Sequence, residues 1–222
     1  TASSSEALFL GDVLELGTAT GLLSIRLAME QDSVCSSIVT SDVQDEGDVE
    51  ENVLYNFGIN GFTNSSSNND DCVDDNNNRS NDNNENQHEE EDGEIQTRRT
   101  TREIPIHVPH TWGTGWDESA EQKGIARGTR FDTIIASDIL LYVSAYPALV
   151  QTLQELFDVV EQDDINDDND EGNNNNKYPK FIMSWNRRMT ESDEFFQRMK
   201  DAGFVYRHEG RCVYTFEKQK RE

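Results

Sequence analysis

The chain has 222 residues, in which 44 Asp and Glu stand against 19 Lys and Arg for a net charge of −25. That excess argues against a nucleic-acid duplex as ligand, because phosphate contacts need Lys and Arg, and it would steer a basic protein toward the chain. No run approaches the roughly 18 to 20 apolar residues of a membrane span, and the scattered Cys35, Cys72 and Cys212 form no C-x-x-C pair, which fits reduced thiols in an intracellular protein.

Thr1 to Gly11 is a polar lead-in with one apolar patch, Ala7 to Leu10. Val13 to Leu16 then reads as a short strand of a buried sheet. Gly17 and Gly21 bracket Thr18, Ala19 and Thr20 as a tight turn, and the apolar run from Leu22 to Met29 reads as a helix buried on most sides. Strand, glycine turn and helix open a nucleotide-binding α/β unit. In the dinucleotide pattern G-x-G-x-x-G, counted from Gly17, the second and third glycines are replaced by Ala19 and Leu22, so a phosphate cradle is poorly supported. Ser36 to Asp42 reads as a second strand ending in an acid, 21 positions past Gly21. A doubly wound unit sets its ribose-binding carboxylate near that spacing, although an aspartate can also end a strand for solubility. Val49, Val53, Leu54 and Phe57 recur at helical spacing from Asp48 to Phe57, and Gly58 and Gly61 stop the run.

About residues 64–102 and 161–176 the chain is mostly Asn, Asp, Glu and Ser, a composition that cannot bury enough apolar surface to offset its ordering entropy. Both tracts are expected to be disordered or solvated, and together they carry on the order of half of the net charge. Without them roughly 165 residues remain, the size of one domain. Between the tracts, Ile104 to His110 reads as a third strand followed by Trp112-Gly113. His107 and His110, three apart on an extended strand, face opposite ways and lack a third ligand, so no metal is expected. Thr133 to Ala136 is an apolar strand that runs into Asp138, at the carboxyl end where open α/β sheets keep their ligand crevice. Tyr146 opens an amphipathic helix with Pro147 in its first turn and Leu149, Leu153, Leu156, Phe157 and Val160 on one face. Lys180 to Trp185 makes a fifth strand. Thr190 and Asp193 resemble a capping box for a helix that ends near Gly203, and Val205–Glu209 with Cys212–Phe216 alternate around Gly210 as a hairpin.

The run Glu15-x-Gly17-x-Ala19-x-Gly21 resembles motif I of class I S-adenosylmethionine-dependent methyltransferases, and five β/α units closed by a hairpin is the order of that family. Glu51-Asn52-Val53-Leu54-Tyr55-Asn56, Trp112-Gly113 and Asp138 are similar to blocks of its small protein-lysine methyltransferase subgroup. The resemblance implies a doubly wound, mostly parallel seven-stranded α/β sheet with the last strand antiparallel, formed by one domain over residues 1–222 whose first helix is missing. It further implies S-adenosylmethionine as cofactor, held by Glu15, Gly17, Thr18, Ala19, Gly21, Asp42, Trp112 and Asp138. Asp138 and Tyr142 would serve catalysis by holding the acceptor amine, a lysine of a protein substrate. Three departures accompany it: Ala19 for the usual middle glycine, Tyr142 one place later than the usual D-x-x-Y, and the absent front helix. Each asparagine of the block, taken alone, reads better as a helix-surface or capping residue, and Trp112 can equally anchor a loop. A monomer in the cytoplasm or nucleus, without nucleic-acid or membrane partner, is expected. A non-catalytic module of the same fold, or an NAD-dependent short dehydrogenase, would be the alternatives; no Tyr-x-x-x-Lys pair follows a strand to support the latter.

Overall fold

The structure, a computed structural model, describes residues 8–44, 48–64, 102–163, 179–186 and 190–219. Nearly all of both polar tracts lies outside these residues. Strand β1 (Asp12–Leu16) is followed by α1 (Leu22–Met29) and the short α2 (Gln31–Val34), then β2 (Ser37–Asp42) and α3 (Asp48–Ile59). Next come the two-residue strands β3 (Phe62–Thr63) and β4 (Arg102–Glu103), β5 (Ile106–Pro109), α4 (Trp116–Gln122) and β6 (Thr133–Ser137). A 3-10 turn (Val143–Ala145) leads into α5 (Tyr146–Asp163), and β7 (Lys180–Ser184), α6 (Ser192–Asp201), β8 (Phe204–Gly210) and β9 (Val213–Lys218) complete the order.

Seven strands form one sheet in the order β5-β2-β1-β6-β7-β9-β8, and β9 runs antiparallel to both neighbours while the other contacts are parallel. This is the doubly wound sheet expected of the sequence. Its central strands are buried on both faces, as parallel strands covered by helices must be. Along β1 the side chains alternate: Val13 joins Ile25, Ala28, Val53 and Phe57 under α1 and α3, whereas Leu14 and Leu16 join Leu149, Leu153 and Phe157 of α5 on the opposite face. Glu15 shares the face of Val13 at the carboxyl end of the strand, and it is almost wholly buried.

Some local expectations were displaced. Helix α1 is buried along Ser24, Ile25 and Ala28 and not on most sides, since Leu22 is 74% exposed. Ile104 falls short of β5, and Arg102–Glu103 instead pairs in parallel with Phe62–Thr63, joining the two ends of the first polar tract. Helix α6 has Glu191 at its N-cap and no side-chain cap bond, so the capping box of Thr190 and Asp193 does not form. The hairpin turns on Arg211 and Cys212, both left-handed at φ 47° and 66°, one step beyond the expected pivot at Gly210. Helix α4 carries no long apolar period and was not anticipated; Trp116 and Ala120 alone fix it to the core.

Candidate active site

Because β2 lies on one side of β1 and β6 on the other, the chain changes winding direction between β1 and β6, and the loops that leave their carboxyl ends part there. A cleft of about 670 Å³ opens at that place, within the range of small-molecule sites.

Its floor is the turn after β1. Gly17, Ala19 and Gly21 all take positive φ, at 68°, 51° and 78°. Glycine adopts this region freely, but Ala19 pays for its β-carbon. Tertiary bonds hold the turn in place. Thr18 N–H donates to the Ser41 carbonyl at 3.0 Å, and Thr18 Oγ1 accepts from Ser41 N–H at 3.2 Å. Ala19 N–H donates to Asp42 Oδ2 at 2.6 Å, and Asn56 Nδ2 on α3 donates to the Thr20 carbonyl at 2.9 Å. A β-carbon on Gly17 would lie 2.7 Å from Ile139 Cγ2, so Gly17→Val collides first with the far wall of the cleft, not with the space a ligand would fill.

Among the described residues no cation pairs with Glu15. Ser24 Oγ donates to its Oε2, and burial, reinforced by the nearby Asp42 charge, pushes its pKa up to about 7 against those hydroxyl bonds. Asp42 accepts a second backbone bond, from Val43 N–H to Oδ1 at 2.7 Å. One lone-pair position on each carboxylate oxygen is left for a ligand.

The opposite wall comes from the loops after β5 and β6. His110 N–H donates to the Asp42 carbonyl at 2.7 Å, which extends β5 alongside β2 to the rim. The His110 imidazole is buried edge-on to Trp116, with Ser119 and Thr152 hydroxyls at 3.4 and 3.5 Å, and burial lowers its pKa to about 4. Thr152 Oγ1 also accepts from Gly113 N–H at 2.9 Å, tying Trp112-Gly113 down onto α5. Asp138 takes φ 52°, a conformation that Asp tolerates better than most residues, while its N–H donates to the Ser184 carbonyl at 3.0 Å. Tyr142 is 71% exposed at the rim, and the buried Tyr146 donates its hydroxyl to the Leu140 carbonyl at 3.2 Å to fix the segment between them.

The structure thus brings Glu15, Gly17, Thr18, Ala19, Asp42, Trp112, Asp138 and Tyr142 to one cleft. Gly21 is not in its wall: it caps α1, where a β-carbon would sit 3.3 Å from Phe57. Sequence reasoning missed Leu22, Val43, His110, Thr111 and Leu141 as lining residues. All of these but His110 adjoin anticipated positions, and His110 had been weighed only as a metal ligand. Among the described residues, no three His, Cys, Asp or Glu are grouped to hold a metal ion.

The donor set decides what fits. Three carboxylates, those of Glu15, Asp42 and Asp138, line the cleft, and no Lys or Arg does so among the described residues. A pyrophosphate would find no Lys or Arg among the described lining residues, whereas a cation bearing hydroxyl groups would find acceptors.

The family model described as "Methyltransferase domain" matches residues 6–209. Among solved structures, the chain is similar to a methyltransferase from Pyrococcus furiosus, at 15% identity and a TM-score of 0.44, over 94% of this chain and 75% of that one. It is also similar to precorrin-6y C5,15-methyltransferase from Geobacter metallireducens GS-15, at 10% identity and a TM-score of 0.40, over 97% of this chain and 82% of that one. No curated protein matches the sequence.

Proposed function

Because the chain belongs to the methyltransferase-domain family and has the Rossmann-like fold of class I S-adenosylmethionine-dependent enzymes, we propose that its cleft takes S-adenosylmethionine and that the acceptor is an amine, the side chain of a lysine in a protein substrate. The observation that carries this reading is the lining of three carboxylates without a cationic side chain among the described residues. The chemistry the cofactor would supply is an electrophilic methyl group on a sulfonium.

The protein's own part is mostly placement. The turn from Gly17 to Gly21 offers small residues and backbone on which an amino-acid tail can lie. Glu15 and Asp42 would accept from the ammonium and the ribose hydroxyls; a cation beside Glu15 favours its ionised form and draws its pKa back down. Trp112 would wall the adenine. Asp138 and Tyr142 would hold the amine in line, an arrangement in which orientation supplies most of the rate. A lysine must arrive neutral, and the positive charge of a sulfonium beside it would favour that form.

A thermal-shift comparison of S-adenosylmethionine, S-adenosylhomocysteine and NAD tests the cofactor. Stabilisation by the first two and none by NAD is expected. No shift with any of them would leave a non-catalytic module of the same fold. Incubation of a cell extract with tritiated cofactor, followed by location of the label, tests the acceptor; label on anything but a protein lysine overturns that half of the proposal.

A further inference from the structure

The asparagine block on α3 lies outside the cleft wall, yet one of its members reaches the cleft floor. We propose that Asn56 is a positioning residue, which holds the turn from Thr18 to Gly21 in its left-handed form from behind and so keeps it ready for the donor. This rests on the reading of the cleft as a donor site.

Ala19 stands at φ 51°, where its β-carbon makes the conformation unfavourable. An isolated turn of this sequence would relax away. Besides the Thr18–Ser41 bonds at the start of the turn, two long-range hydrogen bonds oppose relaxation at the strained residue and the next: Asp42 Oδ2 takes Ala19 N–H at 2.6 Å, and Asn56 Nδ2 gives to the Thr20 carbonyl at 2.9 Å. Asp42 lies in the cleft and is available to a ligand, whereas Asn56 is not in the wall and reaches the lining residue Thr20 from behind. Its helix cannot drift. Val53 and Phe57, each fully buried, flank Asn56 in sequence and pack against Gly21, where a β-carbon would meet them at 3.7 and 3.3 Å. Asn60 Nδ2 donates back to the Asn56 carbonyl at 2.8 Å, adding a bond near the end of α3. A surface asparagine in a helix interior costs helix propensity. Here the amide is spent on a contact 36 residues away in sequence.

Titration calorimetry with S-adenosylhomocysteine, together with hydrogen exchange at the Ala19 amide of the ligand-free chain, tests the proposal. Asn56→Ala is expected to weaken binding about 3- to 10-fold, the effect of one neutral hydrogen bond, and to speed Ala19 exchange. Asn56→Asp keeps the shape but cannot donate, and should behave alike. In an Ala19→Gly background, where the left-handed turn is no longer strained, the loss on Asn56→Ala should shrink to less than about twofold. Unchanged binding in Asn56→Ala, retained binding in Asn56→Asp, or an equal loss in both backgrounds overturns the proposal while leaving the donor reading intact. A wild-type chain that binds no S-adenosylhomocysteine removes the donor reading itself, and this inference with it.

Discussion

Asp42 concentrates several demands on one carboxylate, because it ends β2, holds the Ala19 amide and faces the cleft. Asp42→Ala removes charge-assisted bonds worth roughly 1.5 to 3 kcal/mol, so affinity for S-adenosylhomocysteine should fall roughly 10- to 150-fold by calorimetry; equal affinity would take Asp42 out of the site. Glu15 and His110 make a second residue-scale prediction through pH. The Glu15 pKa is raised from 4.5 to about 7, so the folded state holds that proton more tightly and Glu15 costs stability as pH rises from about 4.5 to 7. The His110 pKa is lowered from 6.5 to about 4, so the folded state resists that proton and His110 costs stability as pH falls from 6.5 toward 4. Each effect is on the order of 3 kcal/mol when complete, and across the shared window they oppose one another. Relative to wild type, Glu15→Gln should therefore gain stability as pH rises from 5 to 7, and His110→Gln should gain it as pH falls from 6.5 to 4.5. Urea melts at several pH values check this, and curves parallel to wild type would contradict it.

Among the elements, strands with an apolar core and helices with a clear stripe announced themselves, whereas ends and turns did not. Thr133 to Ala136 and the helix opened by Tyr146 needed only their own periodicity. Helix α4 is held because Trp116 docks edge-on to His110 and Phe131, contacts that lie outside the helix's own residues and leave no periodicity within it. The β8–β9 turn is a comparable case. Its two central residues, Arg211 and Cys212, both take left-handed angles that favour Asn and Gly, as the two-residue hairpin turns that match strand twist require. Alternation alone centred the turn on Gly210, while the antiparallel pairing of β9 with β7 and the bond from Trp185 N–H to the Cys212 carbonyl at 2.8 Å set the actual register. Replacing Arg211 by Asn and Cys212 by Gly should raise stability by about 1 to 2 kcal/mol, read as a higher urea midpoint with unchanged slope. A lowered midpoint would show that those side chains contribute more than their backbone strain costs.

On the scale of the whole molecule, the charge of −25 and the carboxylate-lined cleft have different ranges. The first acts through solvent and is screened within about 8 to 10 Å at ordinary salt, while the second acts in a partly enclosed cleft where screening is weaker. If the acceptor is the protein lysine proposed above, methylation of a basic protein should therefore slow as ionic strength rises from 50 to roughly 300 mM, through encounter, with a smaller change in S-adenosylhomocysteine affinity. A rate indifferent to salt would remove steering from the account. No helix among the described residues is long and apolar enough to cross a membrane. By itself the sequence determined the alternation of strands and helices, the glycine turn after β1 and the positions of Glu15, Asp42 and Asp138, because apolar periodicity and backbone permissiveness are local properties written residue by residue. Only the tertiary structure decided that those carboxylates share one cleft, that Glu15 lies buried against Ser24, that His110 stands in the wall and Gly21 does not, and that Asn56 reaches the Thr20 carbonyl. Burial and long-range hydrogen bonds depend on which distant segments the sheet order brings side by side, and no local pattern carries that information.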